Sequence, residues 1–249
     1  MRFAQRPSAA VRLLCIPHAG GGASSFRLWA TAMPQSVDVV VAQFPGRESR
    51  IRDRPLTSID AMVEELLPAV LAQPPLPLVV MAHSMGSIVA FELSHALQNA
   101  GAPGPAHLFV SGSRAPGQLD DGLPLLHRMS DEELLLEIDR RYGGVPATVR
   151  EQRDVIELLL PMLRGDITAL ETYERRERDR LTFPITAYAG TRDARATPDA
   201  VVAWREETTS TFASRGFDGD HFFLHSHREN ILPDIRRALE DSMAGLGAA

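Results

Sequence analysis

Lysine is absent from this sequence, so all 26 positively charged side chains are arginines. They face 32 Asp and Glu residues, which gives a formal net charge of −6 at pH 7. An acidic chain does not carry the broad positive field that nucleic acid attracts, so nucleic acid is not expected as the main partner. The missing lysine is most simply explained by GC-rich coding and is given no functional role.

Cysteine and long apolar runs are also scarce. The single cysteine, Cys15, cannot form an intramolecular disulfide, which favours a reducing compartment. It lies in the apolar run VRLLCIP, so we predict a buried core position rather than a nucleophile. No stretch approaches 18 consecutive apolar residues, and the N-terminus passes directly into a strand-like segment. Neither a membrane span nor a signal peptide is therefore expected, and a cytoplasmic location is predicted.

Short apolar runs alternate with amphipathic ones along most of the chain. Its 249 residues, 44% hydrophobic and 23% charged, fit one α/β domain over 1–249 with an insertion. The alternation predicts a mostly parallel sheet flanked by helices. The predicted strands are 11–17, 37–44, 77–82, 107–113, 183–190 and 210–217. The predicted helices outside the insertion are 25–33, 59–71, 85–100, 198–207 and a last one from about Glu229.

The alternation stops between about residues 118 and 180, where no strand is predicted. Two helical patterns occupy this region, at 131–143 and 153–176, and Pro161 should kink or divide the second. We predict an inserted helical subdomain. It has more apolar residues than one helix face needs, so it either packs onto the core or forms part of a pocket. These residues are Leu134, Leu135, Leu136, Ile138, Leu158, Leu159, Leu160, Met162 and Leu163.

Ser84 lies between a predicted buried strand and a predicted helix, in VVMAHSMGSIVAFEL. This is the setting of a nucleophile elbow, whose usual pattern is G-x-S-x-G. Here Ala82 replaces the first glycine, while Gly86 keeps the second. Because one methyl group is the smallest departure available, an elbow remains the prediction. His83 should point away from the nucleophile and pack or hydrogen-bond as a neighbour.

The other members of a catalytic triad follow Ser84 in the order serine, acid, histidine. Asp193 comes just after one predicted strand and His221 after the last, so both should reach the carboxyl edge of the sheet. We predict Ser84 as nucleophile, His221 as general base and Asp193 as the residue that orients the imidazole. Competing acids are Asp199, Asp218 and Asp220. A metal cluster of His221, His225 and His227 is a weaker alternative, because no carboxylate or cysteine pattern accompanies it.

Acyl transfer also needs donors for an oxyanion. The backbone N–H of Met85, directly after the serine and at a helix N-terminus, is the predicted first donor. The second is predicted to be the N–H of Ala19, in the glycine-rich loop HAGGG (18–22) after the first strand. A plain tight turn is the alternative interpretation of that loop.

Five segments taken together carry a resemblance that covers almost the whole chain: PHAGGGASSFRLW, FPGRESR, AHSMGSIVAFEL, LRGDITALETYE and GDHFFL. In this order they resemble the type II thioesterases that accompany polyketide and nonribosomal peptide synthetases. The resemblance implies an α/β-hydrolase fold with a helical lid, here at 118–180. It implies hydrolysis of acyl groups from the phosphopantetheine arm of a carrier protein, which clears aberrant or stalled units. It also supports the triad and oxyanion assignments, and it places no metal or organic cofactor on the chain.

The resemblance further implies an acyl or peptidyl carrier protein as partner, and no membrane. Because carrier proteins are generally acidic, docking should use a local basic patch. The candidates are Arg47, Arg140, Arg141, Arg175 and Arg176. The nearest competing function is a carboxylesterase or lipase with the same triad. A release domain that cyclises its product and a non-catalytic binding protein are weaker interpretations. The chain shows no carrier-domain sequence, which favours simple hydrolysis.

Overall fold

A single six-stranded sheet forms the centre of the molecule. The computed structural model describes residues 1–119, 122–143 and 152–246. The strand order is β2-β1-β3-β4-β5-β6, and every neighbouring pair is parallel. All six predicted strands are confirmed, some with shorter bounds. They are β1 (Val11–Ile16), β2 (Val37–Val41), β3 (Leu78–His83), β4 (His107–Ser111), β5 (Ile185–Gly190) and β6 (Phe212–Phe217).

The central strands are apolar on both faces because helices cover both sides of the sheet. All six residues of β1 are buried, as are all six of β3. Alternate side chains of β1 enter two different core clusters, with Leu14 in one and Leu13 in the other. Cys15 is fully buried in the second cluster, and this burial raises the pKa of its thiol well above the ordinary value. The predicted core position of Cys15 is therefore confirmed.

The helices that flank the sheet are α1 (Arg27–Ala32), α2 (Ile59–Leu71), α3 (Met85–Asn99) and α8 (Arg228–Leu246). The side chain of Ser58 caps α2 by accepting the N–H of Ala61 at 3.2 Å. Gly101, with a φ of +72°, follows the end of α3 in the left-handed conformation that closes many helices. Helices α2 and α3 pack on one face of the sheet, and α1 and α8 contribute to the core on the other.

Two helices lie between β4 and β5, in the region predicted as an inserted lid. They are α4 (Asp131–Tyr142) and α5 (Arg153–Glu171), and the described part of 118–180 contains no strand. Helix α4 begins with a capping box in which Ser130 and Glu133 satisfy each other's backbone N–H groups. Residues 120, 121 and 144–151 of the predicted lid lie outside the described residues.

Helix α5 ends five residues earlier than predicted, and Pro161 does not divide it. The prediction of helix to residue 176 is wrong because the residues after Thr172 make tertiary contacts instead of continuing the helix. The hydroxyl of Tyr173 donates to Glu92 of α3 at 2.6 Å, and Arg178 also contacts Glu92. Arg175 donates to Glu207 at 2.9 Å. These contacts hold residues 172–180 against α3 and Glu207 in a non-helical conformation, although the sequence pattern there is helical.

The predicted helix at 198–207 is only partly α-helical. Its first turn is α6 (Pro198–Val201), and Val202–Glu207 continues as 3₁₀ helix. Trp204 is fully buried there, and its indole N–H donates to the carbonyl of Ser113 at 2.9 Å. A short helix, α7 (Phe223–Ser226), then precedes α8. Among the described residues, no helix has the length and apolar character needed to cross a bilayer.

Candidate active site

Ser84 lies in a sharp turn between β3 and α3. Its φ of 54° and ψ of −123° place a non-glycine residue in a strained conformation, as an elbow requires. The N–H of Ser84 donates to the carbonyl of Ser111 at 2.7 Å, which ties the turn to the adjacent strand β4. The predicted strand–turn–helix context of Ser84 is therefore present.

The two small residues of the elbow have different steric surroundings. A Cβ atom on Gly86 would lie 2.4 Å from the carbonyl oxygen of Ile16 and 2.5 Å from that of Pro17. Those are backbone atoms that cannot move aside, so glycine is required at this position. Ala82, by contrast, is a fully buried strand residue whose methyl group is part of the core. The turn therefore accommodates alanine where the usual pattern has its first glycine.

His221 connects the serine to a buried carboxylate. Its Nε2 lies 3.0 Å from Ser84 Oγ, and its Nδ1 lies 2.7 Å from Asp193 Oδ2. The carboxylate accepts the Nδ1–H, which leaves Nε2 as the acceptor for the serine hydroxyl. The structure thus brings the three predicted triad residues together in the order that proton transfer from Ser84 requires.

Asp193 is buried, yet its surroundings favour the charged form. Burial alone would raise the pKa of this carboxyl, but the hydrogen bond and charge of His221 and two backbone donors keep the pKa below its ordinary value. The donors are the N–H groups of Arg195 and Ala196, at 2.8 and 3.1 Å from Oδ1. The carboxylate is therefore ionised at neutral pH and fixed in orientation.

Two of the three competing acids are engaged elsewhere, and the third is exposed. Asp218 pairs with Arg192, and Asp220 accepts the backbone N–H of Phe222 at 2.8 Å. Asp199 is exposed in the first turn of α6. Asp193 is the acid that contacts His221.

The neighbouring histidines differ in their contacts, and the ring centroid of His83 lies 5.3 Å from that of His221. The ring of His83 is buried, and its Nδ1 lies 2.9 Å from the hydroxyl of Ser111, in agreement with the prediction of a hydrogen-bonded neighbour. His227 donates from Nε2 to the carbonyl of Asp218 at 2.8 Å. In the part of the chain that the structure describes, no group of three or more His, Cys, Asp or Glu side chains is placed to hold a metal ion.

Two backbone N–H groups close to Ser84 are available to a ligand. Met85 is the first residue of α3, and Ala19 lies in the loop after β1 and lines the same cavity as Ser84. Over the described ranges, neither N–H donates to a protein acceptor. The assignment of these two N–H groups as oxyanion donors stays a prediction.

Two cavities meet at Ser84 and His221. One has a volume of about 540 Å³ and a mixed polar and apolar lining that includes Arg114, Arg195 and Glu174. The other has a volume of about 40 Å³ and lies under α5, with Leu163 and Ile167 in its wall. The two helices between β4 and β5 therefore form part of the pocket as well as packing on the core.

Tyr142, at the end of α4, lines both cavities. Its ring centroid lies 4.9 Å from that of His221. The sequence carries no signal for this position, because nothing in the pattern DEELLLEIDRRYG distinguishes a pocket residue from a helix end.

The structure removes Arg47 from the docking candidates. This arginine is 2% exposed and forms an ion pair with Asp166, so an acidic partner has no access to it. Arg141 is also buried, and Arg175 pairs with the buried Glu207. Arg140 and Arg176 are the exposed members of the set, each with a side chain 63% exposed.

The parallel sheet, the elbow and the Ser–His–Asp contacts together define an α/β hydrolase. Comparison with known proteins identifies the family within this class. A family model described as a thioesterase domain matches residues 11–239, so the chain belongs to the thioesterase domain family.

Named relatives agree with this assignment. Thioesterase PikA5 of Streptomyces venezuelae is 37% identical over 237 residues, which are 94% of this chain and 83% of PikA5. The solved structure of RedJ, a thioesterase from the prodiginine pathway of Streptomyces coelicolor, is 37% identical with a TM-score of 0.85, covering 94% of this chain and 92% of RedJ. The type II thioesterase BorB from the borrelidin biosynthetic cluster is 35% identical with a TM-score of 0.85, covering 96% and 95%.

Proposed function

We propose that this protein is a type II thioesterase that hydrolyses acyl groups from the phosphopantetheine arm of acyl or peptidyl carrier proteins. It thereby clears aberrant or stalled units from a polyketide or nonribosomal peptide synthetase. The observation that carries the proposal is the contact chain Ser84–His221–Asp193, with distances of 3.0 and 2.7 Å, in a chain of the thioesterase family. A cytoplasmic location, where the synthase partner would be met, is part of the same proposal.

The contacts support an acyl-enzyme mechanism. Ser84 Oγ attacks the thioester carbonyl while His221 Nε2 accepts its proton, and Asp193 stabilises the imidazolium that forms. The N–H groups of Ala19 and Met85 stabilise the negative oxygen of the tetrahedral intermediate. The pantetheine thiol leaves, and a water molecule activated by His221 then releases the acid. The residues that act in these steps require no metal or organic cofactor.

The two cavities fit the two parts of the substrate. We assign the larger, partly polar cavity to the pantetheine arm and the small cavity under α5 to the acyl group. A volume of about 40 Å³ suits a short acyl group and excludes a long one unless the lid moves.

A matched pair of substrates tests the reaction class. We expect higher kcat/KM for an acetyl-pantetheine thioester than for the corresponding oxygen ester. A thiolate is a good leaving group, so positioning of the substrate and stabilisation of the oxyanion are enough for the thioester. A clear preference for oxygen esters would replace this proposal with the carboxylesterase function.

Docking of an acidic carrier protein is assigned to the exposed arginines Arg140 and Arg176. Arg176 forms an exposed ion pair with Asp60, which contributes little and is screened by salt. Arg140 pairs with Glu137, which is half-buried and also contacts Arg141, but the guanidinium of Arg140 remains exposed. Arg176→Glu and Arg140→Glu should raise KM for an acyl-carrier substrate by roughly tenfold and leave KM for acetyl-pantetheine unchanged. Arg237→Glu, an exposed change on α8, is the charge-matched control. Equal effects on both substrates would refute the assignment.

A further inference from the structure

A buried ion pair joins the lid to the loop that holds Ala19. Both oxygens of Asp166, on α5, accept from Arg47: Nη2 lies 2.7 Å from Oδ1 and Nη1 lies 2.8 Å from Oδ2. The side chains of Arg47 and Asp166 are 3% and 0% exposed. The two residues are 119 positions apart in sequence, so the pair is a tertiary contact between the segment after β2 and the inserted helices.

The same two side chains also hold the backbone of the loop. Asp166 Oδ2 accepts the N–H of Gly20 at 2.8 Å, and Arg47 Nη1 donates to the carbonyl of Gly21 at 3.0 Å. Gly20 has a φ of +79°, a conformation that glycine adopts readily. Asp166 therefore holds the peptide directly after Ala19, and Arg47 holds the peptide between Gly21 and Gly22. The N–H of Ala19 itself faces no acceptor in the described structure.

Stability alone is a weak explanation for this pair. Removing two charges from water is costly, and a buried ion pair is often no more stabilising than well-packed apolar residues of similar volume. Orientation is a stronger explanation, because the fork of Arg47 and the two oxygens of Asp166 fix each other and two backbone groups at once. Gly165 lets α5 approach closely enough, since a Cβ there would lie 2.9 Å from the carbonyl of Leu56.

We infer that Arg47 and Asp166 are positioning residues for the oxyanion loop, and that through them the placement of lid helix α5 sets the position of the Ala19 N–H. The inference rests on the proposed use of Ala19 as an oxyanion donor. It predicts that weakening the pair slows the chemical step and leaves substrate binding nearly unchanged.

The test compares Asp166→Asn with Asp38→Asn. Asp38 forms a second buried ion pair, with Arg12, at the sheet edge where β1 and β2 begin, opposite the carboxyl edge that carries Ser84. Both substitutions leave a buried arginine without its charged partner. Only the first should disturb the oxyanion loop.

Two rates and a melting temperature are measured for each variant. The first rate is hydrolysis of acetyl-pantetheine, resolved into kcat and KM. The second is labelling by an alkyl fluorophosphonate: Ser84 Oγ bonds to phosphorus, the P–F bond breaks, fluoride leaves and His221 takes the serine proton. Labelling needs the nucleophile and the oxyanion donors but no thioester substrate.

We expect Asp166→Asn to lower both kcat and the labelling rate by roughly tenfold to hundredfold, with KM within about threefold of the wild type. Asp38→Asn should keep both rates while its melting temperature falls. Wild-type rates for Asp166→Asn, or equal losses in the two variants, would overturn the inference. If Asp166→Asn does not fold, Arg47→Lys decides, because it keeps the charge but loses the fork. Wild-type rates for that variant would also overturn it.

Labelling separates this inference from the proposed function. If the wild-type protein reacts with the fluorophosphonate but does not hydrolyse acyl-pantetheine, the thioesterase proposal fails. The variant comparison by labelling still decides whether Arg47 and Asp166 position the loop.

Discussion

At the residue scale, Ala82 and Gly86 flank the nucleophile symmetrically in sequence but not in space. Ala82 points its methyl group into the core on β3, whereas Gly86 faces the backbone carbonyls at the end of β1. The strained turn of Ser84 therefore depends on the second small residue and not on the first.

Substitutions at these two positions should differ accordingly. Ala82→Gly removes a buried methyl group and adds backbone freedom, so we expect a loss of about 1–2 kcal/mol in unfolding free energy and kcat within about twofold of the wild type. Gly86→Ala forces a shift of α3 against β1 and should abolish hydrolysis. Thermal melts and kinetics on acetyl-pantetheine check both variants. A fully active Gly86→Ala would contradict the steric account.

The triad assignment could be made from the sequence because each member follows a predicted strand of a parallel sheet. Ser84, Asp193 and His221 come after β3, β5 and β6, and parallel strands deliver such residues to one edge. The role of Arg47 could not be predicted in this way. Its partner Asp166 is far away in the chain and lies within a helical pattern, and such a pattern gives no sign that a charged side chain is buried.

At the element scale, helix α5 has two different apolar faces. Ile167 is buried and lines the small cavity beside Ser84, whereas Leu158 on the same helix is 57% exposed. Some of the apolar side chains of α5 thus form the pocket, and others remain on the surface.

Enlarging the small cavity should change the acyl-chain preference. Ile167→Ala removes three carbon atoms from its wall, so we expect kcat/KM for a hexanoyl thioester to rise roughly tenfold relative to acetyl. Leu158→Ala is the control on the same helix and should leave the ratio unchanged. An unchanged ratio in Ile167→Ala would contradict the assignment of the acyl group to this cavity.

At this scale, the sequence predicts which elements form but not always where each element ends. Strands β1 and β3 were predictable because continuous apolar runs indicate burial on both faces. The end of α5 was not, because the contacts of Tyr173 and Arg178 with Glu92 on α3 decide where the chain leaves the helix.

At the scale of the whole molecule, five histidines whose pKa is lowered by burial make stability depend on pH; His225 is one of them. Burial is also the largest cause in the other four: it lowers the pKa of His18 to about 3 and those of His95 and His107 to about 4, and it lowers the pKa of His83 well below its ordinary value. In the unfolded chain these groups take up protons below about pH 6.5, while the folded protein resists protonation. Stability is therefore full above about pH 6.5 and falls as the pH drops below it.

His107 offers a separable test because it lies at the start of β4, away from Ser84. Between pH 7 and pH 5, His107→Gln should lose roughly 2 kcal/mol less unfolding free energy than the wild type, because one half-buried histidine that the folded protein keeps neutral is removed. Denaturant unfolding at the two pH values measures the difference. An identical loss in both proteins would show that His107 is not responsible.

The most direct test of the account is release of free acid from a carrier protein loaded with acetyl or propionyl groups, with the wild type compared with Ser84→Ala. We expect the wild type to clear these short units and Ser84→Ala to lose turnover, because the acyl-enzyme cannot form without the serine hydroxyl. Turnover that persists in Ser84→Ala would contradict the nucleophile assignment. A wild-type protein that leaves the loaded carrier intact while cleaving simple esters would contradict the thioesterase proposal.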